Sequence, residues 1–243
     1  MKKMKTKKIY IGLLLTGMMI MTGCLKDCVA PGNVTTENRS VDSFNAISAE
    51  DAFEVYVTKD SAVSLAIETN SGYQKHINAV VSGGVLTLSV DRSICPCNFR
   101  RLKAYVTVPS LSRIEASGAS SIRCDSTYAS ENFSVTLSGA SMAYVPLNVS
   151  GMIMLEASGA SKAILNGNCG SLRVQSLSGA SELNAFGLNA DNAVVENSGA
   201  SKAEVNVVNE LEVTASGASE IIYMGNPRLI YKDVSGASEI KKK

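Results

Sequence analysis

Serine is the residue of the repeated motif in this chain that could act as a nucleophile. The tetrapeptide Ser-Gly-Ala-Ser occurs seven times, at intervals of 18 to 21 residues. A catalytic serine needs a general base beside it, and the only histidine, His76, lies outside the repeats. We therefore predict that the serines are structural and that their hydroxyls form a hydrogen-bonded column between stacked copies. The motif begins at Ser117, Ser138, Ser158, Ser178, Ser198, Ser216 and Ser235.

Cysteine is the second reactive residue type, with six copies. One of them is assigned to a lipid anchor below, which leaves an odd number in the exported chain. Cys95 and Cys97 are separated by a single residue, which is not the spacing of a zinc site, so a loop staple that uses Cys28 is favoured over a metal. Cys124 falls on an inward position and is predicted to be a buried thiol. We expect no metal, no cofactor and no catalytic residue.

Residues 1–23 are predicted to be a lipoprotein signal peptide. Five lysines lie at the start, and the apolar run from Ile9 to Met21 that follows is too short to span a membrane comfortably. It ends in Met-Thr-Gly-Cys24, which resembles the bacterial lipobox, where the cysteine is acylated and becomes the N-terminus. Leu25 follows, and not the Asp of inner-membrane retention signals. The sequence thus predicts a palmitate-type lipid on Cys24 and an outer-membrane lipoprotein, on its periplasmic or cell-surface face.

The charge of the chain argues against nucleic acid as a partner. The chain has 23 basic and 22 acidic residues, and removal of the signal peptide takes away five lysines, which leaves 18 − 22 = −4. Nucleic acid needs an extended positive surface. The only basic run after the signal is 241–243, which is typical of a solvated tail.

The mature chain is predicted to consist of a tether, one β domain and a short tail. Residues 24–43 are polar and lack periodicity, as a tether does. Residues 44–240 carry strand patterns throughout, enough for one well-buried domain. We divide this domain into irregular, capping coils at 44–116 and regular coils at 117–240, and assign 241–243 to the tail.

A fixed period near 20 residues is typical of a solenoid built from short strands, because helical repeats need more residues. Apolar residues alternate around each motif, as at Ile114 and Ala116 before the first copy and Ile122 and Cys124 after it. Residues two apart share a face of a strand, so these must line a common interior. Within the motif, Gly is predicted to supply a positive φ at a corner and Ala to point into the bend. The corner glycines are Gly118, Gly139, Gly159, Gly179, Gly199, Gly217 and Gly236.

The residues that follow the motif support a parallel stack. Lys162, Glu182 and Lys202 alternate in sign from one copy to the next, which would place opposite charges side by side at strand spacing. The coils that end at Ser178 and Ser235 each contain one extra residue, which predicts a β-bulge in each.

The irregular part contains a faded copy of the repeat, since residues 47–55 align with residues 114–122. We interpret it as the start of the solenoid and partly its cap, with a turn at Gly83-Gly84. Strands are predicted at Phe53–Thr58, Val63–Glu68, Ile77–Val81, Val85–Val90 and Leu102–Val108.

Together with the lipobox and the Ser-Gly-Ala-Ser repeats, three short segments resemble the putative auto-transporter adhesin head GIN domain family over roughly residues 44–240. The segments are Phe44-Asn45-Ala46-Ile47, Ala52-Phe53-Glu54-Val55-Tyr56-Val57 and Val108-Pro109-Ser110-Leu111. The resemblance implies a single right-handed parallel β-helix on an exported bacterial protein. It implies adhesion only through the name of the family, and it brings no binding or catalytic residue.

The function predicted on these grounds is a non-enzymatic adhesion or binding module of the cell envelope, which acts through its repetitive face. Its partners would be the membrane, through the lipid, and a glycan or protein surface, with self-association at the open last coil. Two alternatives stay open. One is a structural envelope protein without a ligand. The other is a polysaccharide-active enzyme of pectate-lyase-like fold, for which analogy of fold is the only argument.

Overall fold

The computed structural model describes residues 30, 32–91, 93 and 101–243. The predicted signal peptide, Cys24, Cys28 and the Cys95–Cys97 segment lie outside these residues. In the part of the chain that is described, no helix is long and apolar enough to cross a bilayer.

Residues 34–108 contain seven strands and one short 3₁₀ turn at Gln74–His76. The strands are β1 (Val34–Arg39), β2 (Ala46–Ala49), β3 (Glu54–Lys59), β4 (Ser64–Asn70), β5 (Ile77–Ser82), β6 (Val85–Val90) and β7 (Leu102–Val108). All five strands predicted for this part are confirmed.

The regular part contributes the remaining strands of the described residues. These are β8 (Arg113–Ala116), β9 (Ser121–Cys124), β10 (Tyr128–Ser130), β11 (Phe133–Leu137), β12 (Met142–Ala157), β13 (Lys162–Leu177), β14 (Glu182–Asn197), β15 (Lys202–Ala215), β16 (Glu220–Gly225), β17 (Arg228–Val234) and β18 (Glu239–Lys242).

Successive coils of the regular part stack in parallel and in register. The strand segments that precede each corner pair with one another and form the first wall, as Val135 with Leu155. The segments that follow each corner form the second wall, as Ala143 with Ala163 and Leu183 with Ala203. The long strands β12 to β15 continue past the second wall into a third side, where β10 pairs with β12. The predicted all-β parallel solenoid with coils of about 20 residues is confirmed.

The core fills the space between the walls with alternate residues of the strands. Leu183, Val195 and Leu211 are fully buried, and the inward residues that flank the corners are buried in every regular coil except the last. Burial of a Leu or Val side chain stabilises a fold by about 1.5–3 kcal/mol relative to exposure. Burial of the alternate apolar residues around the motif is therefore the main stabilisation of the coils.

The faded copy forms a complete coil, but it is not at the end of the stack. Strand β2 pairs with both β6 and β8, with Ile47 opposite Ile114. Strand β3 pairs with both β7 and β9, with Val55 opposite Ile122. The β2–β3 coil thus lies between the β6–β7 coil and the β8–β9 coil. The alignment with the repeat is confirmed, and within the irregular part the later β6–β7 coil folds outside the coil of the faded copy.

Antiparallel strands close the N-terminal end of the stack. Strand β4 pairs antiparallel with β7, and β1 pairs antiparallel with β4. Strands β5 and β6 form a hairpin over Gly83-Gly84, both with positive φ, as predicted. Residues 34–39, which the sequence analysis assigned to the tether, form β1. Its hydrogen bonds are made by the backbone, which is why a polar segment without periodicity can form an edge strand.

The two predicted bulges are present in the first wall. The register shifts between Leu155 and Glu156 where β12 pairs with β13, and between Leu211 and Glu212 where β15 pairs with β17.

At the opposite end from the cap, β17 has exposed apolar side chains, Leu229, Ile230 and Tyr231 among them.

Candidate functional site

The seven corner glycines form one column along the solenoid and have φ values between 70° and 78°. At each step, the Ala N–H donates to the carbonyl of the glycine one coil earlier, as from Ala180 to Gly159 at 2.7 Å. A Cβ on Gly159 would lie 2.4 Å from the carbonyl oxygen of Gly139. The predicted positive φ is present at all seven, and the role of the column is to hold the coils in register.

The predicted roles of Ala and Ser at the corner are partly wrong. Ala160 is exposed, and the second serine of the motif points inward, as buried Ser161 does. The Ser161 hydroxyl donates to the carbonyl of Ser158 at 2.9 Å and lies 3.3 Å from the Ser181 hydroxyl. A continuous hydroxyl column does not form, because a carbonyl three residues back in the same corner is a closer acceptor. The buried Ser141 hydroxyl has no partner among the described residues.

The alternating charges stand in the predicted register, with Lys162 opposite Glu182 and Glu182 opposite Lys202. Lys162 contacts Glu182 at 2.9 Å. Lys202, however, contacts Glu204 of its own strand at 2.6 Å, so the column is interrupted after one pair. The hydrogen bond from Lys202 to Glu204 raises the pKa of this lysine.

A second row of outward side chains, near the capped end of the second wall, has different chemistry. Tyr105, Tyr56, Arg123 and Tyr144 occupy one register position on β7, β3, β9 and β12, which are adjacent strands. The rings of Tyr56 and Tyr105 stack with centroids 5.6 Å apart and planes at 18°. The guanidinium carbon of Arg123 lies 5.0 Å from the centroid of the Tyr144 ring. We call these four residues the aromatic row.

One side of the aromatic row is bordered by a hydrogen-bonded pair of charges. Lys103 contacts Glu54 at 3.3 Å and lies 5.2 Å from the ring centroid of Tyr56. The hydroxyl of Tyr56 donates to Glu54 at 3.0 Å. The hydrogen bond to Glu54 raises the pKa of Lys103, so the lysine stays charged well above neutral pH.

Glu68 anchors the end of the row nearest the cap. It accepts hydrogen bonds from Arg101 at 2.8 Å and from the Tyr105 hydroxyl at 3.0 Å. The bond from Arg101, followed by that from Tyr105, lowers the pKa of Glu68, and the same carboxylate raises the pKa of Tyr105. The tyrosine hydroxyl therefore stays protonated and the carboxylate charged at neutral pH, so this end of the row has a fixed charge pattern.

A shallow depression of about 180 Å³ lies along the row, with Tyr56, Arg123, Met142 and Tyr144 in its lining. Arg123 is exposed and donates no hydrogen bond to any residue that the structure describes. The site therefore combines flat aromatic surface, a free guanidinium and bound carboxylates, which is the composition of a binding surface.

The aromatic row was not among the residues predicted from the sequence, in which aromatic residues are few, with no Trp and 8 Tyr. A signal exists for three of the residues, since Tyr56, Arg123 and Tyr144 each come three residues after the last position of a corner. Tyr105 carries no such signal, because β7 does not follow a Ser-Gly-Ala-Ser corner.

The other candidate residues are not brought together into a site. Cys124 is buried, as predicted, and so is Cys169; burial raises the pKa of each thiol to about 12. His76 lies 3.9 Å from Asp91. In the described ranges, no group of three or more His, Cys, Asp or Glu side chains could hold a metal ion. The lipidation site, Cys24, falls outside these ranges.

Solved structures of other proteins have a similar fold. A crystal structure described as a "putative adhesin" from Bacteroides fragilis superposes with a TM-score of 0.81 at 21% identity, over 88% of this chain and 99% of that one. Another "putative adhesin", from Parabacteroides merdae, gives 0.70 at 18%, over 87% and 98%. A "putative lipid binding protein" from Parabacteroides distasonis gives 0.62 at 15%, over 87% and 97%. At these identities the likeness shows the fold alone.

Comparison of the sequence itself gives two results. No protein of curated function matches it. The family model described as "Putative auto-transporter adhesin, head GIN domain" matches residues 43–227, about three quarters of the chain. The chain therefore belongs to the putative auto-transporter adhesin head GIN domain family.

Proposed function

We propose that this protein is a non-enzymatic adhesin of the cell envelope that binds an extended partner through the aromatic row. The observation that carries the proposal is the row itself, in which Tyr105, Tyr56, Arg123 and Tyr144 lie side by side on a rigid wall. Four adjacent strands place its ends about 14 Å apart. A site on a sheet held by parallel pairing is preorganised, so little ordering entropy is lost when it binds.

The names of the family and of the similar structures support adhesion as the broad role. Glycans and protein surfaces are the two kinds of partner that suit a flat row of tyrosines with charged borders. The alternatives predict different outcomes, since a purely structural protein binds nothing through this row and a polysaccharide-active enzyme turns its ligand over.

The binding test uses the full-length protein in detergent on arrays of glycans and host-matrix proteins, beside a screen for polysaccharide degradation. Tyr105→Ala and Tyr144→Ala are expected to weaken capture tenfold or more. Val208→Ala is the control, because Val208 is an exposed apolar residue on β15, away from the row. Capture that all three variants retain would contradict the assignment of the site. Turnover of a polysaccharide would contradict the non-enzymatic role.

We further propose that Cys24 carries the lipid and holds the protein at the outer membrane. The lipobox supports this assignment, and the nine residues from Leu25 to Asn33 would give the tether a reach of up to about 30 Å. Cys24→Ala is expected to leave an unprocessed precursor without acyl label, found outside the outer-membrane fraction. Unchanged mass, label and fractionation would rule the anchor out.

Self-association through the last coil is the remaining partner that we propose. Strands β17 and β18 each have one paired neighbour, β15 and β16 respectively, and exposed Leu229 and Tyr231 lie on β17. Unpaired strand edges are templates for pairing with another chain. Sedimentation over a range of concentrations is expected to show dimers that Leu229→Lys removes, and a monomer at all concentrations would contradict the proposal.

A further inference from the structure

We infer that the aromatic row binds an acidic saccharide, in which Arg123 binds a carboxylate or sulfate group on a sugar ring. The inference rests on the proposed function, because it names the class of ligand for the same site. It rests on one observation, an exposed guanidinium within a row of tyrosines that has no carboxylate partner among the described residues.

The other cations around the row already have partners. Lys103 contacts Glu54 at 3.3 Å, and Arg101 contacts Glu68 at 2.8 Å. Within each pair the two charges neutralise each other. Of the cations in or beside the row, Arg123 is then the one that has no carboxylate partner among the described residues.

The nearest acidic side chain along the strand does not serve Arg123. Asp125 accepts hydrogen bonds from Thr58 at 2.9 Å on one oxygen and from Ser126 at 2.7 Å on the other. Each oxygen of this carboxylate thus already accepts a hydrogen bond, one from Thr58 on β3 and one from Ser126 after β9. An anion for Arg123 must come from outside the described chain.

The contact of Arg123 with Tyr144 holds the cation in the row. The guanidinium carbon lies 5.0 Å from the centroid of the ring, which attracts the positive charge, and the guanidinium donates no hydrogen bond to any described residue. A guanidinium presents donors in a fixed fork that matches the two oxygens of a carboxylate or of a sulfate. Because the contact with the ring restrains the Arg123 side chain, less rotamer freedom is lost on binding.

The tyrosines suit the ring of a sugar. Tyr105 is 40% exposed at one end of the row, and the residue opposite it on β4 is the small Ala66. The ring of Tyr105 is therefore covered by Tyr56 on one side and by only a methyl group on the other. The apolar face of a pyranose packs against such a ring. Thr58 and Glu54, on the same strand as Tyr56, are exposed on either side of it and can bond to sugar hydroxyls.

The test measures affinities of the full-length protein for matched pairs of polymers. Polygalacturonate and its methyl ester share one backbone and differ in the charge of the carboxylate. Dextran sulfate and dextran form the sulfate pair and distinguish the two sources of anion. The variants are Arg123→Gln, Arg123→Lys and the control Arg173→Gln, since Arg173 points outward from the first wall and makes no hydrogen bond with any described residue.

The expected result is at least tenfold tighter binding of one acidic polymer than of its neutral partner. Arg123→Gln should remove this preference, since hydrogen bonds to charged groups contribute a factor of ten or more. Arg123→Lys should restore only part of it, because it keeps the charge and loses the fork. Arg173→Gln should change nothing, which excludes a general effect of charge.

Three outcomes would overturn the inference. They are equal affinity for acidic and neutral polymers, a preference that survives Arg123→Gln, and no binding to any of the four polymers. The first two leave the proposed function standing as long as Tyr105→Ala weakens capture tenfold or more. The third leaves it standing only if the protein is captured by a matrix protein, so the two proposals fail separately.

Discussion

The regular coils and the irregular coils build the same core but solve the corner differently. Each regular corner has a glycine at positive φ, such as Gly118, beneath an identical corner of the next coil. The irregular corner of the β2–β3 coil has Asp51 and Ala52 at φ of 58° and 70°. Its last position is Phe53, where the neighbouring coil has Ser120, and the Phe53 N–H donates to the Ser120 hydroxyl at 3.1 Å.

This difference also explains where the candidate site lies. Two members of the aromatic row, Tyr105 and Tyr56, come from irregular coils, and the other two, Arg123 and Tyr144, come from the first regular ones. Farther along the same register position none of the residues is aromatic: they are Ile164, Asn184, Glu204, Ile222 and Lys241. The regular coils thus give a rigid stack, and the aromatic row lies at the boundary between the irregular and the regular coils, which we call the seam.

The largest effect is expected from a glycine in the middle of the regular stack. Gly159→Val forces a branched residue into positive φ and places its Cβ against the carbonyl of Gly139. We expect a loss of about 3 kcal/mol in the free energy of unfolding, measured by thermal and urea denaturation. The control, Ala160→Val, sits at the next, exposed position and should cost less than about 0.5 kcal/mol. Equal losses would show that the corner does not depend on glycine.

A second effect is expected from the thiol at the seam, where Cys124 lies opposite Val57. Burial raises the pKa of Cys124 to about 12, from an ordinary value of 9.0. The folded state thus keeps a proton that the unfolded state releases, so this contribution is complete below pH 9 and is lost as the pH rises toward 12. The loss is about 1.4 kcal/mol per pH unit, or roughly 2 kcal/mol at pH 10.5.

The variant Cys124→Ala isolates this term from the tyrosines and lysines that titrate in the same range. Between pH 8.5 and 10.5 the wild-type protein should lose about 2 kcal/mol more than the variant, as measured by urea unfolding at each pH. Parallel pH profiles for the two proteins would contradict burial of the thiol at the seam.

The regular coils were predictable because every level of their sequence agrees. Alternation of Ile114 and Ala116, glycine at the corner and the period near 20 residues all indicate the same parallel stack. The position of the β2–β3 coil in the stack was not predictable. An alignment with the repeat gives the register between paired strands, but it does not show which coil packs on the other side of β2 and β3. Strand β1 was missed for a related reason, since an edge strand is held by backbone bonds that leave no pattern in side chains.

The candidate site was predictable only in part. The offset of three residues from the corner would have placed Tyr56, Arg123 and Tyr144 on one line, given the stack. Tyr105 joins them because β7 folds back beside β3, a contact between distant segments that no local pattern encodes. The serine column failed for a physical reason, since the Ser161 hydroxyl bonds within its own corner.

A smaller effect of opposite sign is expected at the irregular corner. Ala52→Gly removes the strain of a Cβ at positive φ and should stabilise the protein by about 1 kcal/mol. Ala119 is the equivalent residue of the neighbouring regular corner, and its φ is not positive. Ala119→Gly should therefore destabilise by about 0.5 kcal/mol, because it only loosens the unfolded chain. Thermal denaturation of both variants checks the signs, and two changes of the same sign would mean that the corners do not differ.

The smallest effect is expected from the charges on the regular coils. Lys162 and Glu182 contact across strands at 2.9 Å, whereas Lys202, in register on the other side of Glu182, contacts Glu204 instead. A double-mutant cycle on Lys162 and Glu182 should give a coupling of about 0.5 kcal/mol at low salt. The coupling should vanish in 1 M salt, where the screening length is about 3 Å. The matched cycle on Lys202 and Glu182 should give a clearly smaller coupling at low salt, since Lys202 bonds to Glu204 instead. Equal couplings would mean that the alternating charges act as one continuous column. The surface charges would then contribute more to the stability of the regular coils than the single contact of Lys162 with Glu182 indicates.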